Sequence, residues 1–263
     1  MISDDLMKYS IQKFSVAFLI RTSGIIVILL IWKTLHLLEL FNPTLLPSPE
    51  ASFHQLKIIL LSGDVLPDIS STLGRALAGF SLAAFVGVFM GVLLGYFKLL
   101  YESLSMIVDF FRSIPVTALY PIFVLFFGIG NVSKIAMIFV AALFVIIFNT
   151  AYGVHYSSSV RKNMASLYGA NKLQILMWVI FFNALPHIVV GLRVAISYCL
   201  IVAIVTEMFM GSEFGIGQRI FEASNTYSID ELYALVVIIG FIGYITNFAF
   251  YSIEKNLTRW AVK

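Results

Sequence analysis

Apolar residues in this chain come in long blocks separated by short polar stretches, and the blocks have the length of membrane spans. A helix rising 1.5 Å per residue needs about 20 mainly apolar residues to cross a hydrocarbon core about 30 Å thick. Six blocks meet that test: Thr22 to Leu40, Ala76 to Phe97, Leu104 to Phe127, Ile135 to Gly153, Ile188 to Met210, and Leu232 to Ile253. In the first, Lys33 and His36 fall late enough to snorkel outward. In the second, Gly87, Gly91 and Gly95 recur at spacing four, a small-residue face for close helix packing. The third contains Pro115 and Pro121, each of which removes a backbone donor, so it is expected to be broken. The predicted fold is all-α, a polytopic transmembrane helical bundle of about six spans.

Two connections are too long to be turns. In the segment 42–74, which contains Leu46-Pro47-Ser48-Pro49, the residues Phe53, Leu56, Ile59 and Leu60 recur at helical spacing. They predict a short interfacial helix, most simply a packing strap. The stretch 155–186 is more informative. Ser157, Ser158 and Ser159 supply candidate N-caps. Val160, Met164, Leu167 and Tyr168 make one apolar face. Gly169 is placed to stop that helix, and Asn171 to cap a second helix carrying Leu173, Leu176 and Met177. An amphipathic helix, a glycine turn and another helix lie at one membrane surface. The apolar face either packs under its own bundle or waits for a partner.

Composition excludes a soluble alternative. The 263 residues are 60% hydrophobic and 12% charged, with mean hydropathy +0.96; soluble domains are about 25% charged. A net charge of +3 is too small and scattered for a nucleic-acid partner, but its distribution orients the bundle. With the N-terminus inside, ten cations (Lys8, Lys13, Arg21, Lys98, Arg161, Lys162, Lys172, Lys255, Arg259, Lys263) lie in cytoplasmic segments against three (Lys57, Lys134, Arg219) outside, Arg75 being at a membrane edge. That asymmetry predicts both termini in the cytoplasm. The expected organisation is a cytoplasmic tail over 1–21, an anchor helix over 22–41, an external segment over 42–74, and a core over 75–263 containing the cytoplasmic loop 155–186. The first apolar run lacks a following cleavage site and is expected to stay as the anchor. Cys199 is the lone cysteine, so no intrachain disulfide forms.

Catalytic chemistry is absent from the sequence. No Gly-x-x-x-x-Gly-Lys-Ser/Thr loop occurs, the four histidines are dispersed, and there is no Gly-x-Ser-x-Gly elbow. The chain is therefore expected to be no enzyme and to hold neither metal nor cofactor. Candidate pathway or gate residues are the polar groups within spans: Asn149, Ser197, Tyr198 and Glu207. Asn149, Ser197 and Tyr198 either face a pathway or bond across helices. Glu207 either lines a gate or pairs with Arg75 or Arg219, the pairing being favoured. Arg112 and Arg193 either attract an anion or snorkel, Arg112 having Asp109 three residues away.

The loop resembles the membrane subunits of ATP-binding-cassette importers, whose signature is Glu-Ala-Ala, three residues, Gly, nine residues, then Ile-x-Leu-Pro. Here Asn163-Met164-Ala165 is followed by Gly169-Ala170, and Val179-Ile180-Phe181-Phe182 by Ala184-Leu185-Pro186. The third Ala and the Gly match, while Asn163 replaces the Glu. The chain from Leu46 onward resembles the nitrate, sulfonate, taurine and bicarbonate branch. It does so through Leu46-Pro47-Ser48-Pro49, Arg75 with Gly79-Phe80, Arg112-Ser113-Ile114-Pro115, Phe127-Gly128-Ile129-Gly130, Asn149-Thr150, Gly191-Leu192-Arg193, Glu207-Met208 and Gly215-Ile216-Gly217. The resemblance implies a five-helix permease core plus the anchor, in a bacterial-type inner membrane. It implies a separate cytoplasmic ATPase that binds ATP and Mg, a second permease copy, and an extracytoplasmic substrate-binding protein. It also implies ATPase contact through Ala165, Leu167, Gly169 and Ala170. The alternatives left by the residues alone are an ion-gradient-driven secondary transporter and a membrane scaffold that recruits a cytoplasmic partner.

Overall fold

The computed structural model describes residues 23–42 and 44–260, and in them every regular element is helical. The tail expected over 1–21 lies outside the described residues. Helix α1 is described over Ser23–Leu37 and is apolar. Its late polar residues do more than snorkel. Lys33 pairs with Glu50 at 2.5 Å, and His36 Nδ1 lies 2.8 Å from the Leu46 carbonyl. The Trp32 indole donates to the Pro47 carbonyl at 2.9 Å. These contacts tie α1 to the strap that follows.

That strap is α2 (Pro49–Ser62), started by the Ser48 hydroxyl accepting from the Ala51 amide and ended by Gly63 at φ 76°. Its buried Ile59 packs with Val65, Ala234, Leu235 and Ile238. The core is built from α3 (Leu66–Tyr96), α6 (Asn131–His155) and α8 (Lys172–Met210), with α10 (Ile229–Leu257) packed on α8. A short α9 (Ile216–Asn225) precedes α10. These four long helices qualify as membrane spans.

The pair α4 (Lys98–Ser113) and α5 (Tyr120–Phe127), joined through a 3-10 turn (Val116–Leu119) and bent by 82°, counts as a fifth span when its two helices are taken together. The bend is at Ile114-Pro115. Pro121 instead falls in the first turn of α5, where its missing N–H costs no intrahelical bond.

The fifth predicted span differs most from expectation. The helix does not begin near Ile188: it runs unbroken from Lys172, through a π-helical segment (Ile175–Ile180) and through Pro186. The loop expected over 155–186 therefore ends at Asn171. Proline deletes one helical bond, but Ile180, Ala184 and Ile188 are buried together against Val154, and this packing carries the helix past it.

Glycines set how closely α3 approaches α6. A Cβ on Gly91 would come within 2.5 Å of Thr150 Cβ, and one on Gly95 within 2.5 Å of the Ala151 carbonyl oxygen. The Gly95 contact is with backbone, which no rotamer change relieves. Gly95→Ala is expected to destabilise the protein by about 1–3 kcal/mol, read as a lower thermal midpoint in detergent. Gly240→Ala, a helical position with nothing within 4 Å, should not lower the midpoint, since alanine is favoured over glycine by about 0.5–1 kcal/mol in a helix interior.

Candidate functional site

At one end of the bundle, α7 (Ser159–Leu167) hangs between α6 and α8. The Ser158 hydroxyl caps it by accepting from the Arg161 amide. Gly169 closes it at φ 82°, donating to the Ser166 carbonyl at 3.0 Å, while Ala170 donates to the Ala165 carbonyl at 3.1 Å. This pair of bonds is a Schellman closure, and it needs the left-handed conformation that glycine adopts without strain. Asn171 and Gln174 then cap α8 reciprocally. The helix–turn–helix is thus held by its own backbone.

The apolar face of α7 is not packed under the bundle. Val160 is 65%, Met164 53%, Leu167 87% and Tyr168 89% exposed. Leu173, Met177 and Trp178 on the first turns of α8 are exposed as well. Ala165 and Ala170 are half-buried, and nothing lies within 4 Å of a Cβ built on Gly169.

A cavity of about 650 Å³ opens between the α4–α5 bend, α6 and α8. It brings together Pro115, Asn149 and Tyr198 with Arg112, Thr117 and Phe148, and no carboxylate lines it. The Arg112 guanidinium sits 4.0 Å over the Phe148 ring and 3.8 Å from Asp109. Asn149 turns its amide to the Val145 carbonyl at 2.8 Å, which leaves its side-chain oxygen available to the cavity. Ser197 is elsewhere: it accepts from Asn247 of α10 at 3.3 Å. Arg193 is engaged with α10 too, through Glu254 at 3.1 Å and Asn247 at 3.1 Å. Sequence treated the two arginines alike. Only Arg112 reaches the cavity, because the bend turns its side of α4 toward α6.

Glu207 lies at the opposite end from α7, fully buried and not in the cavity. Its carboxylate meets Arg75 at 2.5 Å, accepts from the Thr72 hydroxyl at 2.8 Å, and accepts from the Gly217 amide at 3.0 Å. Arg75 also bonds the Phe214 carbonyl and Asn131. Asp68 accepts from the Gly215 amide at 2.8 Å, and Lys134 donates to the Gly211 carbonyl at 2.5 Å. Arg219 joins Asp68 to Glu231. Burial works against the charge on Arg219, but bonds to Glu231 and Asp68 outweigh it and raise its pKa. Together these groups fasten the loop 211–215 onto α3 and α6. Gly215 and Gly217 are needed there, since a Cβ on Gly215 would meet the Glu207 carboxyl carbon at 2.5 Å.

Comparison with known proteins places this geometry. The family model described as "Binding-protein-dependent transport system inner membrane component" matches residues 67–263. SsuC of Bacillus subtilis (strain 168), named for aliphatic sulfonates transport, is 30% identical over 234 residues, covering 89% of this chain and 84% of its own. The taurine transport system permease TauC of Escherichia coli (strain K12) is 26% identical, with 89% and 86% covered. The nitrate import permease NrtB of Synechocystis sp. (strain PCC 6803) is 30% identical, with 84% and 82% covered. Among solved structures, an inward-facing form of the MetNI methionine ABC transporter shares the fold at TM-score 0.66 and 22% identity, covering 74% of this chain and 96% of that one.

Proposed function

The chain belongs to the family of binding-protein-dependent transport system inner membrane components, and from that premise we propose that it forms half of an importer pathway for a small anion, driven by a separate ATPase. Its place as a permease subunit of an ABC importer follows from its relatives. The anion and the partners are the proposal.

The observation that carries the coupling role is the exposed apolar face ending at Leu167 and Tyr168, 87% and 89% exposed, on a helix held by the Gly169 closure. Large side chains presented to water on a braced helix favour docking into a groove. In this reading α7 lies on the cytoplasmic side, as the loop charges require. Ala165, Leu167, Gly169 and Ala170 make or adjoin the contact. The ATPase supplies ATP and Mg binding, and a binding protein delivers the cargo from the other face.

The cavity supports the anion. Arg112 contributes a positive charge, Asn149, Thr117 and Tyr198 contribute neutral polar groups, and the other walls are largely apolar. A second copy of the chain would complete the pathway across the open side. Glu207 takes no part in it, because its carboxylate is consumed by Arg75, Thr72 and Gly217.

The test is purification of the full chain from its native membrane, mass spectrometry of what comes with it, and reconstitution. An ATPase subunit should co-purify, and the proteoliposomes should take up taurine, an alkanesulfonate or nitrate only when ATP and a binding protein are supplied. Uptake driven by an ion gradient without ATP would overturn the reading.

A further inference from the structure

A second cleft, of about 310 Å³, opens at the α7 end where the last turns of α3 and α6 meet the first turns of α8. Gly95, Tyr96, Val154, Ile175 and Ile180 form its walls, and the charged side chains lining it are Lys162 and Lys172. Among the described residues neither lysine's ammonium group has a hydrogen-bond or ion-pair partner. No carboxylate lines the cleft.

Lys162 is not part of the exposed apolar face. It is two residues from both Val160 and Met164, hence on the far side of α7, and it is half-buried where they are exposed. A protein covering Leu167 and Tyr168 would leave Lys162 facing the cleft. Burial alone lowers its pKa, as expected of a cation removed from water without a counter-charge. Lys172 comes from the other side of the Gly169 turn, so an anion held by both would link α7 to α8.

The cleft lies at the ends of the long helices α3, α6 and α8, and an apolar wall beside two cations suits a ligand carrying both phosphate and hydrocarbon. We infer that the cleft binds the phosphate of an anionic phospholipid headgroup, phosphatidylglycerol being the simplest, between Lys162 and Lys172. The ligand braces the base of the turn that presents α7. The site stands whether or not an ATPase docks there, because its test reads binding alone.

The test is native mass spectrometry of the full chain titrated with phosphatidylglycerol, with phosphatidylcholine as the neutral comparison and inorganic phosphate as a competitor. Lys162→Gln or Lys172→Gln should each weaken phosphatidylglycerol binding about fivefold, and both together about twenty-fivefold. Lys255→Gln, an exposed cation on α10, should leave it unchanged. The Lys162→Arg/Lys172→Arg pair keeps the charge and should keep the binding, which separates loss of the site from loss of the fold. Phosphate that binds alone with the same lysine dependence would support the site and assign it to a free anion. Binding indifferent to Lys162 and Lys172, or lost equally in Lys255→Gln or in the arginine pair, would overturn it.

Discussion

Glu207→Ala should be the most damaging single substitution away from α7, costing the folded protein about 3–5 kcal/mol. The reason is what it leaves behind. Arg75 has a side chain only 11% exposed and would lose its counter-charge, while the Thr72 hydroxyl and the Gly217 amide would lose their acceptor. An orphaned buried cation costs more than the pair was worth, and the donors left unpaired are part of that same cost. The expected result is a large fall in folded yield and in thermal midpoint in detergent. Glu207→Gln keeps an acceptor for Thr72 and Gly217 but not the charge for Arg75, and should fall between alanine and the parent. A Glu207→Ala protein as stable as the parent would show that the loop 211–215 does not depend on this carboxylate.

Leu167→Asp should do the reverse, abolishing function and sparing the fold. The side chain is 87% exposed and fills no core position, so the change should alter stability by no more than about 0.5 kcal/mol. At a docked interface the same change would bury an unpaired carboxylate where an apolar anchor belongs. Losing a central anchor costs about 2 kcal/mol or more, roughly thirtyfold in affinity. ATP-dependent uptake in proteoliposomes should fall at least tenfold at an unchanged thermal midpoint. Unimpaired uptake would remove Leu167 from the coupling contact.

The two substitutions separate what is legible along a chain from what is not. The amphipathic α7, its serine cap and its Gly169 stop are local features. Caps, turns and periodicity act within a few residues, so sequence reading finds them. The glycine stripe on α3 is legible for the same reason, because its spacing of four is a property of one helix. The latch around Glu207 is not local. Arg75 and Glu207 are 132 positions apart, and Thr72 is 135 from the same carboxylate. Sequence offered Arg75 or Arg219 as the partner of Glu207 and the structure has Arg75, but it marked Gly215-Ile216-Gly217 as a separate feature, although these residues belong to the same contact.

Adjacent residues make the same point. Ser197 and Tyr198 were equal candidates for the pathway, but neighbours on a helix point about 100° apart. Tyr198 faces the cavity and Ser197 faces α10. Arg112 and Arg193 were equally ambiguous in sequence. The bend at Pro115 opens one to the cavity, and Glu254 captures the other. Pro186 misleads in the opposite sense: a local rule breaks the helix there, and packing with Val154 and Ile180 keeps it whole.

What the sequence determined by itself was the solvent and the elements: a membrane bundle, its glycine-lined packing face, and an amphipathic helix with its cap and glycine stop. Each follows from hydrophobicity, backbone geometry or charge within one segment. The tertiary structure alone decided which polar groups are already satisfied and which remain available. Glu207 and Arg193 are taken up by partners on other helices, while Arg112, beside Asp109, lines a cavity and Lys162 and Lys172 line a cleft. Hydrogen bonds and ion pairs are settled by distance in space, and distance along the chain carries no record of it.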